Sequence, residues 1–151
     1  MHISAKVDYA VRGAVELAAV YPAALKGERL AELQHVPVKF LENILSLLRQ
    51  GGIIRSQRGP EGGYWLARPP AEITLADIIR VVDGPLANVR GERPETVAFT
   101  GAAGPLREVW IAVRANLRIV LESVTLAEVA AGALPDIITS LTADAEAWRP
   151  H

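Results

Sequence analysis

The chain has 151 residues, half of them hydrophobic, and contains no Cys. That composition supplies one compact core, and the missing thiols exclude disulfides, thiolate metal sites and Cys nucleophiles together. The net charge of −1 hides an asymmetry: residues 1–70 carry nine Lys/Arg against six Asp/Glu, and residues 71–151 carry seven against eleven. Residues 49–68 concentrate it, with Arg49, Arg55, Arg58 and Arg68 facing only Glu61. A local basic patch on a near-neutral chain suits a polyanion, although an ordinary solvated face carries the same charges. No stretch reads as a signal peptide, and no apolar run approaches the ~18 residues of a membrane span. The expectation is a cytoplasmic protein with no membrane partner.

Taken in chain order, Ser4 is a candidate N-cap, and Val7, Val11, Ala14 and Ala18 recur at helical spacing, which predicts a helix over about 4–20. "GERLAELQHVP" gives a short second helix near 28–34, and "VKFLENILSLLRQGG" a third stopped by Gly51 and Gly52. The second and third are joined only by "HVP", the spacing of a helix-turn-helix. "IIRSQR" and "YWLAR" then flank "GPEGG" and read as a β-hairpin, its turn needing positive φ that Gly62 or Gly63 supplies. Thr74 can cap a fourth helix over "LADIIRVVD", ended by Gly84.

Residues 84–104 lose all periodicity and read as a long loop. Leu106, Trp110, Val113, Leu117, Val120 and Val124 follow at steps of four and three, a heptad seam on a long helix that is too short for a coiled coil outright. Thr125 and Glu128 form a capping box for a further helix. Ile137, Ile138, Leu141, Ala145 and Trp148 suggest one more in the tail.

The third helix divides into two faces. Leu41, Ile44, Leu45 and Leu48 form a stripe that must be buried. The opposite face holds Lys39, Glu42, Asn43, Ser46, Arg49 and Gln50, and as the second helix of a helix-turn-helix it is the candidate for the major groove. Asn43 can pair with adenine, Glu42 can accept from cytosine N4, and Lys39 can meet guanine or a phosphate. Phe40 lies between the faces, where it touches a thymine methyl or leans on the core. Arg58, at the entry of the Gly-rich turn, can reach a phosphate or a minor groove. Trp65 packs on the back of the hairpin or a second subunit, or stacks on a base.

"KVDYAVRGAVELA", "LAELQHVPVKFLENILSLLRQGGIIRSQRGPEGGYWLARPPAEITLADIIRVVDG" and "VTLAEVAAG", in that order, resemble the Rrf2-type winged-helix transcriptional regulators. The most specific element is the Arg55–Arg68 string. The resemblance implies a mainly α fold with a small β-hairpin: a winged helix-turn-helix DNA-binding domain over 1–84, an effector-type loop over 85–104, and a dimerisation helix with C-terminal helices over 105–151. It implies a homodimer that binds double-stranded DNA at an inverted-repeat operator and represses transcription. The candidate DNA contacts are Val38, Lys39, Phe40, Glu42, Asn43, Ser46 and Arg49 with Ser56, Arg58, Gly62 and Gly63. The dimer contacts are the six seam residues.

Members that hold an iron–sulfur cluster carry three Cys in the loop before the long helix, and this chain has none, so no cofactor is expected. Asp8 matches a further ligand position in some members, and reads more simply as an i, i+4 partner of Arg12. Arg90, Glu92, Arg93 and Glu95 could form a polar pocket for a small-molecule or protein effector, or a merely solvated loop. The alternative reading is a protein-interaction module on the same fold with weak, non-specific DNA affinity. An enzyme is not expected: His2, His35 and His151 are scattered, no nucleophile sits with a base, and those His with stray carboxylates make no metal site.

Overall fold

A computed structural model describes residues 2–150. Ser4 caps α1 (Ala5–Ala19), its hydroxyl accepting from the Val7 N–H at 3.1 Å. Val7, Ala10, Ala14 and Leu17 are α1's buried side chains, and Val11 and Ala18 pack beside them. These small residues let the other helices approach α1 closely, and α2, α3, α4 and α6 all pack on it.

Helix α2 (Gly27–Gln34) ends at His35, which adopts the left-handed conformation at φ 52°. The Val36 N–H then donates to the Ala31 carbonyl at 3.0 Å, and Val36 itself is buried. This αL cap with its apolar anchor ends α2 and sets the angle at which Pro37 starts α3 (Val38–Gln50). The stripe of α3 is buried as its spacing requires, Leu41, Ile44, Leu45 and Leu48 each being at most 1% exposed.

Strands β1 (Ile54–Gln57) and β2 (Gly63–Leu66) pair antiparallel, with Ile54 opposite Leu66 and Gln57 opposite Gly63. Leu25 exchanges two backbone hydrogen bonds with Tyr64, at 2.9 and 2.8 Å, and so anchors the hairpin to the segment before α2. Helix α4 (Leu75–Asp83) follows, then the loop, then α5 (Leu106–Ser123).

After α5 the chain returns to the N-terminal body. Helices α4 and α6 (Leu126–Ala131) both begin with complete capping boxes, Thr74 with Asp77 and Thr125 with Glu128. The two caps are stitched together: the Leu75 N–H donates to Val124 O at 3.0 Å and the Leu126 N–H to Ile73 O at 2.9 Å. Leu126 is fully buried in the core and α6 packs on α1. Helix α7 (Asp136–Thr142) is shorter than its apolar spacing suggests. A 3-10 turn follows over Ala145–Trp148, and Trp148 folds back so that its indole N–H donates to the Thr142 carbonyl at 2.8 Å.

Residues 84–104 are more ordered than their lost periodicity implies. Val89 and Glu92 exchange backbone hydrogen bonds around a tight turn, Pro94 and Val97 are buried, and two 3-10 turns occupy Pro94–Thr96 and Gly101–Ala103. Turns of three residues are too short to leave a periodic signature.

Candidate nucleic-acid interface

The exposed face of α3 carries Lys39, Glu42, Asn43 and Arg49, with Ser46 half-buried beneath Gln50. No side chain caps the first turn of α3, which leaves its N–H groups open to a phosphate oxygen. Val38 and Phe40 are 40% and 42% exposed beside them. Phe40 leans on α1: its ring meets Tyr9 edge-on, with centroids 5.6 Å apart at 88°. The Arg12 guanidinium lies over the other partner, 5.1 Å from the Tyr9 centroid. Arg12 also pairs with Asp8 at 2.9 Å and donates to Gln34, whose amide binds Glu16. That network fixes α1 against the end of α2, and so holds the helix-turn-helix at its base. It also engages Asp8 in the i, i+4 pair that its spacing suggested.

The hairpin presents Arg58 at its exposed tip. Of the two glycines expected to supply positive φ, one does so. Gly63 has positive φ, at 147°, and is buried where a Cβ would lie 2.7 Å from the Leu25 carbonyl oxygen, so it shapes the wing. The second left-handed residue is Gly59, at φ 103°, and not Gly62. Gly62 is required for space instead: a Cβ there would lie 2.1 Å from the Gln57 carbonyl oxygen. Ser56 is half-buried within β1. Trp65 is half-buried opposite Arg55 on β1.

Lys26 escaped the sequence reading. Its ammonium donates to the Gly59 carbonyl at 2.6 Å, so it braces the wing tip from the N-cap of α2 and adds a cation beside Arg58. A contact between residues 33 apart leaves no local signal. Arg68 turns the other way, 3.8 Å from Asp77 on α4.

The seam residues of α5 do not act as one set. Val124 lies past the helix end and is buried in the chain's own core, 3% exposed. Trp110, Val113 and Leu117 line an open groove of about 1100 Å³ whose other walls include Val7, Ile79, Leu86 and Val89. Leu106 remains 38% exposed and Val120 half-buried. Two further apolar side chains of α5 are more exposed than any of these, Val109 at 48% and Ile119 at 55%, and no residue of α5 is buried. The four loop candidates also separate. Arg90 and Glu92 sit exposed at the tight turn, while Arg93 and Glu95 line a pocket with Arg80, Arg114 and Arg118.

His35 serves the turn between α2 and α3, and His151 lies outside the described residues. Among the described residues no three His, Asp or Glu side chains come together as a metal site, and no helix is long and apolar enough to cross a membrane.

Comparison with known proteins agrees with this geometry. The model of the Rrf2 family, described as an iron-dependent transcriptional regulator, matches residues 3–132. Rv1287 of Mycobacterium tuberculosis, which bears the name of an HTH-type transcriptional regulator, is 48% identical over 145 residues, 95% of this chain and 90% of that protein. The structure of CymR, the global cysteine regulator of Bacillus subtilis, superposes with a TM-score of 0.70 at 32% identity, covering 87% of this chain and 98% of that one. IscR of T. potens gives a TM-score of 0.69 at 29% identity, covering 99% and 97%. Among the described residues no group of three His, Asp or Glu offers a donor set for the iron in the family's description. The chain has no thiolate, Asp8 is paired with Arg12, and the buried side chains of the loop are Pro94 and Val97.

Proposed function

This chain belongs to the Rrf2 family of transcriptional regulators, and on that premise we propose that it is a sequence-specific repressor acting as a homodimer on an inverted-repeat operator, without an iron–sulfur cluster. The observation that carries the reading is the free face of α3. Lys39, Glu42, Asn43 and Arg49 stand exposed on a helix whose other side is locked into the core, one hairpin away from Arg58. A rigid helix with an adenine-type reader and cations at its ends fits the major groove, and the wing cations fit the adjacent backbone.

Dimerisation is supported by α5, which exposes Leu106, Val109 and Ile119 along a helix with no buried residue. Two copies joined there present two α3 helices to successive turns of one groove face, which is why the operator is an inverted repeat. Such a dimer seated on cytoplasmic promoter DNA represses by occupying it. It is a binding protein and not a catalyst. With no cluster donors, its signal is one other than cluster assembly.

The test titrates the full-length protein on its own upstream DNA and on a scrambled duplex of equal length, over roughly 50–200 mM salt. The expected preference is ~10³-fold or more, with affinity falling as salt rises. Arg58→Ala should weaken both duplexes and reduce the salt slope by about 1. Asn43→Ala should lose about 1–3 kcal/mol of discrimination at one position per half-site. Equal affinity for the two duplexes overturns the reading in favour of an interaction module, and an Asn43→Ala protein weakened alike on every sequence removes the direct-readout role.

A further inference from the structure

Residues 71–151 are acidic overall, with seven Lys/Arg against eleven Asp/Glu, yet four of those seven cations converge on one concavity. Arg80 from α4, Arg93 from the loop, and Arg114 and Arg118 from α5 line a pocket of about 560 Å³ together with Pro85 and Leu86. Three carboxylates answer them, one of which, Asp77, lies 3.9 Å from Arg80 and is shared with Arg68 outside the pocket. Glu95 pairs with Arg114, and Glu122 pairs with Arg80 and, at 3.1 Å, with Arg118. These last two carboxyls are held below the ordinary range, Glu95 by a backbone hydrogen bond and then by Arg114, Glu122 by Arg80 and then by Arg118. They therefore stay ionised, and four guanidiniums against three carboxylates leave about one positive charge unbalanced. Arg93 is exposed and has no ion pair among the described residues.

We propose that this pocket binds a small phosphate monoester. A guanidinium offers a planar fork that matches a phosphate oxygen pair, and several forks on different elements can surround a tetrahedral group. A phosphate monoester carries a charge of about −1.5 to −2 near neutral pH, opposite in sign to the surplus. The volume lies within the range of ~300–1,000 Å³ found for small-molecule sites, and exceeds what a bare oxyanion fills. Pro85 and Leu86 supply an apolar wall for the remainder of the ligand. Gly84 makes that wall possible: its φ of 83° and ψ of −149° lie in a region that only glycine adopts freely, and they turn the chain back past the end of α4. Because α4 packs on α3, the occupant sits one helix from the reading face. The inference stands on the pocket alone and does not require the DNA reading.

The experiment titrates the full-length, ¹⁵N-labelled protein with inorganic phosphate and with phenyl phosphate, against sodium chloride at matched ionic strength. Saturable shifts of the Gly84, Leu86 and Arg93 amides are expected with both phosphates, tighter for phenyl phosphate, and absent with chloride. Arg93→Gln and Arg114→Gln should raise the apparent Kd at least 10-fold, while Arg149→Gln, at an exposed ion pair outside the pocket lining, should leave it unchanged. Shifts that follow ionic strength in chloride as well, or an Arg93→Gln protein that binds as the parent does, overturn the proposal. So does an Arg93→Gln protein whose DNA affinity falls while its phosphate titration stays put, since that assigns the arginines to the duplex.

Discussion

Gly62 has no room for a methyl group, because the Gln57 carbonyl oxygen occupies the place where a Cβ would go. Gly62→Ala must therefore push the turn open, at a cost of order 2 kcal/mol, or roughly 6 °C in Tm for a chain of this size. The displaced turn carries Arg58 and Gly59 with it, so the Lys26 brace on the Gly59 carbonyl is lost as well. DNA affinity should fall alongside Tm. A Gly62→Ala protein with unchanged melting and unchanged affinity would show that the turn gives way freely. The run of glycines was legible in the sequence as a turn, but the division of labour within it was not. Gly62 is needed for space, Gly59 for backbone angle and Gly63 for both, and only the folded approach of Gln57 and Leu25 separates those needs. Asp8 and Arg12 were legible because their partner is four residues away. Lys26 and Gly59 were not, because theirs is not local.

At the scale of elements, helix ends carried the clearest message. Thr74 is expected as a cap and Thr125 with Glu128 as a capping box, and both helices begin with complete boxes. What the repeat of that chemistry does not disclose is that the two caps are bound back to back, which makes α6 part of the core and not of the appendage around α5. Thr125→Ala should cost about 1 kcal/mol, or some 3 °C in Tm, through loss of the bond from the Glu128 N–H. Its partner gives a pH signature. The Thr125 N–H, at 2.7 Å, and then its hydroxyl hold the Glu128 carboxyl below the ordinary range. A carboxyl depressed in the folded state stabilises fully above its unfolded pKa of about 4.3, and that contribution is lost as the pH falls through the folded value. Melting curves should therefore show the gap between the parent and Glu128→Gln proteins closing on acidification from pH ~6 to ~3; a gap constant across that range would remove the linkage.

At the scale of the molecule, periodicity alone does not assign the faces of α5. A stripe at steps of four and three reads equally as a seam between subunits or as one amphipathic face, since 3.5- and 3.6-residue periods do not separate over fewer than three heptads. In the fold that stripe turns partly inward, Trp110, Val113 and Leu117 facing the chain's own α1 and α4, and Val124 leaves the helix altogether. The outward face is the flank that carries Val109 and Ile119. Covering an exposed Val or Ile side chain fully contributes about 1.5–3 kcal/mol. In a two-fold interface each substitution counts twice. Val109→Glu should then cost on the order of 4 kcal/mol of dimerisation, ~10³-fold in Kd, while leaving the monomer fold intact because the side chain is already exposed. Ile119→Glu should act in the same direction, whereas Val124→Ala should lower Tm through the core and leave association unchanged. Sedimentation equilibrium read beside operator titration distinguishes these outcomes. Val109→Glu should appear as a folded monomer whose operator affinity drops toward that of a single half-site. A Val109→Glu protein that still sediments as a dimer and still binds the full operator would place the interface elsewhere on the chain.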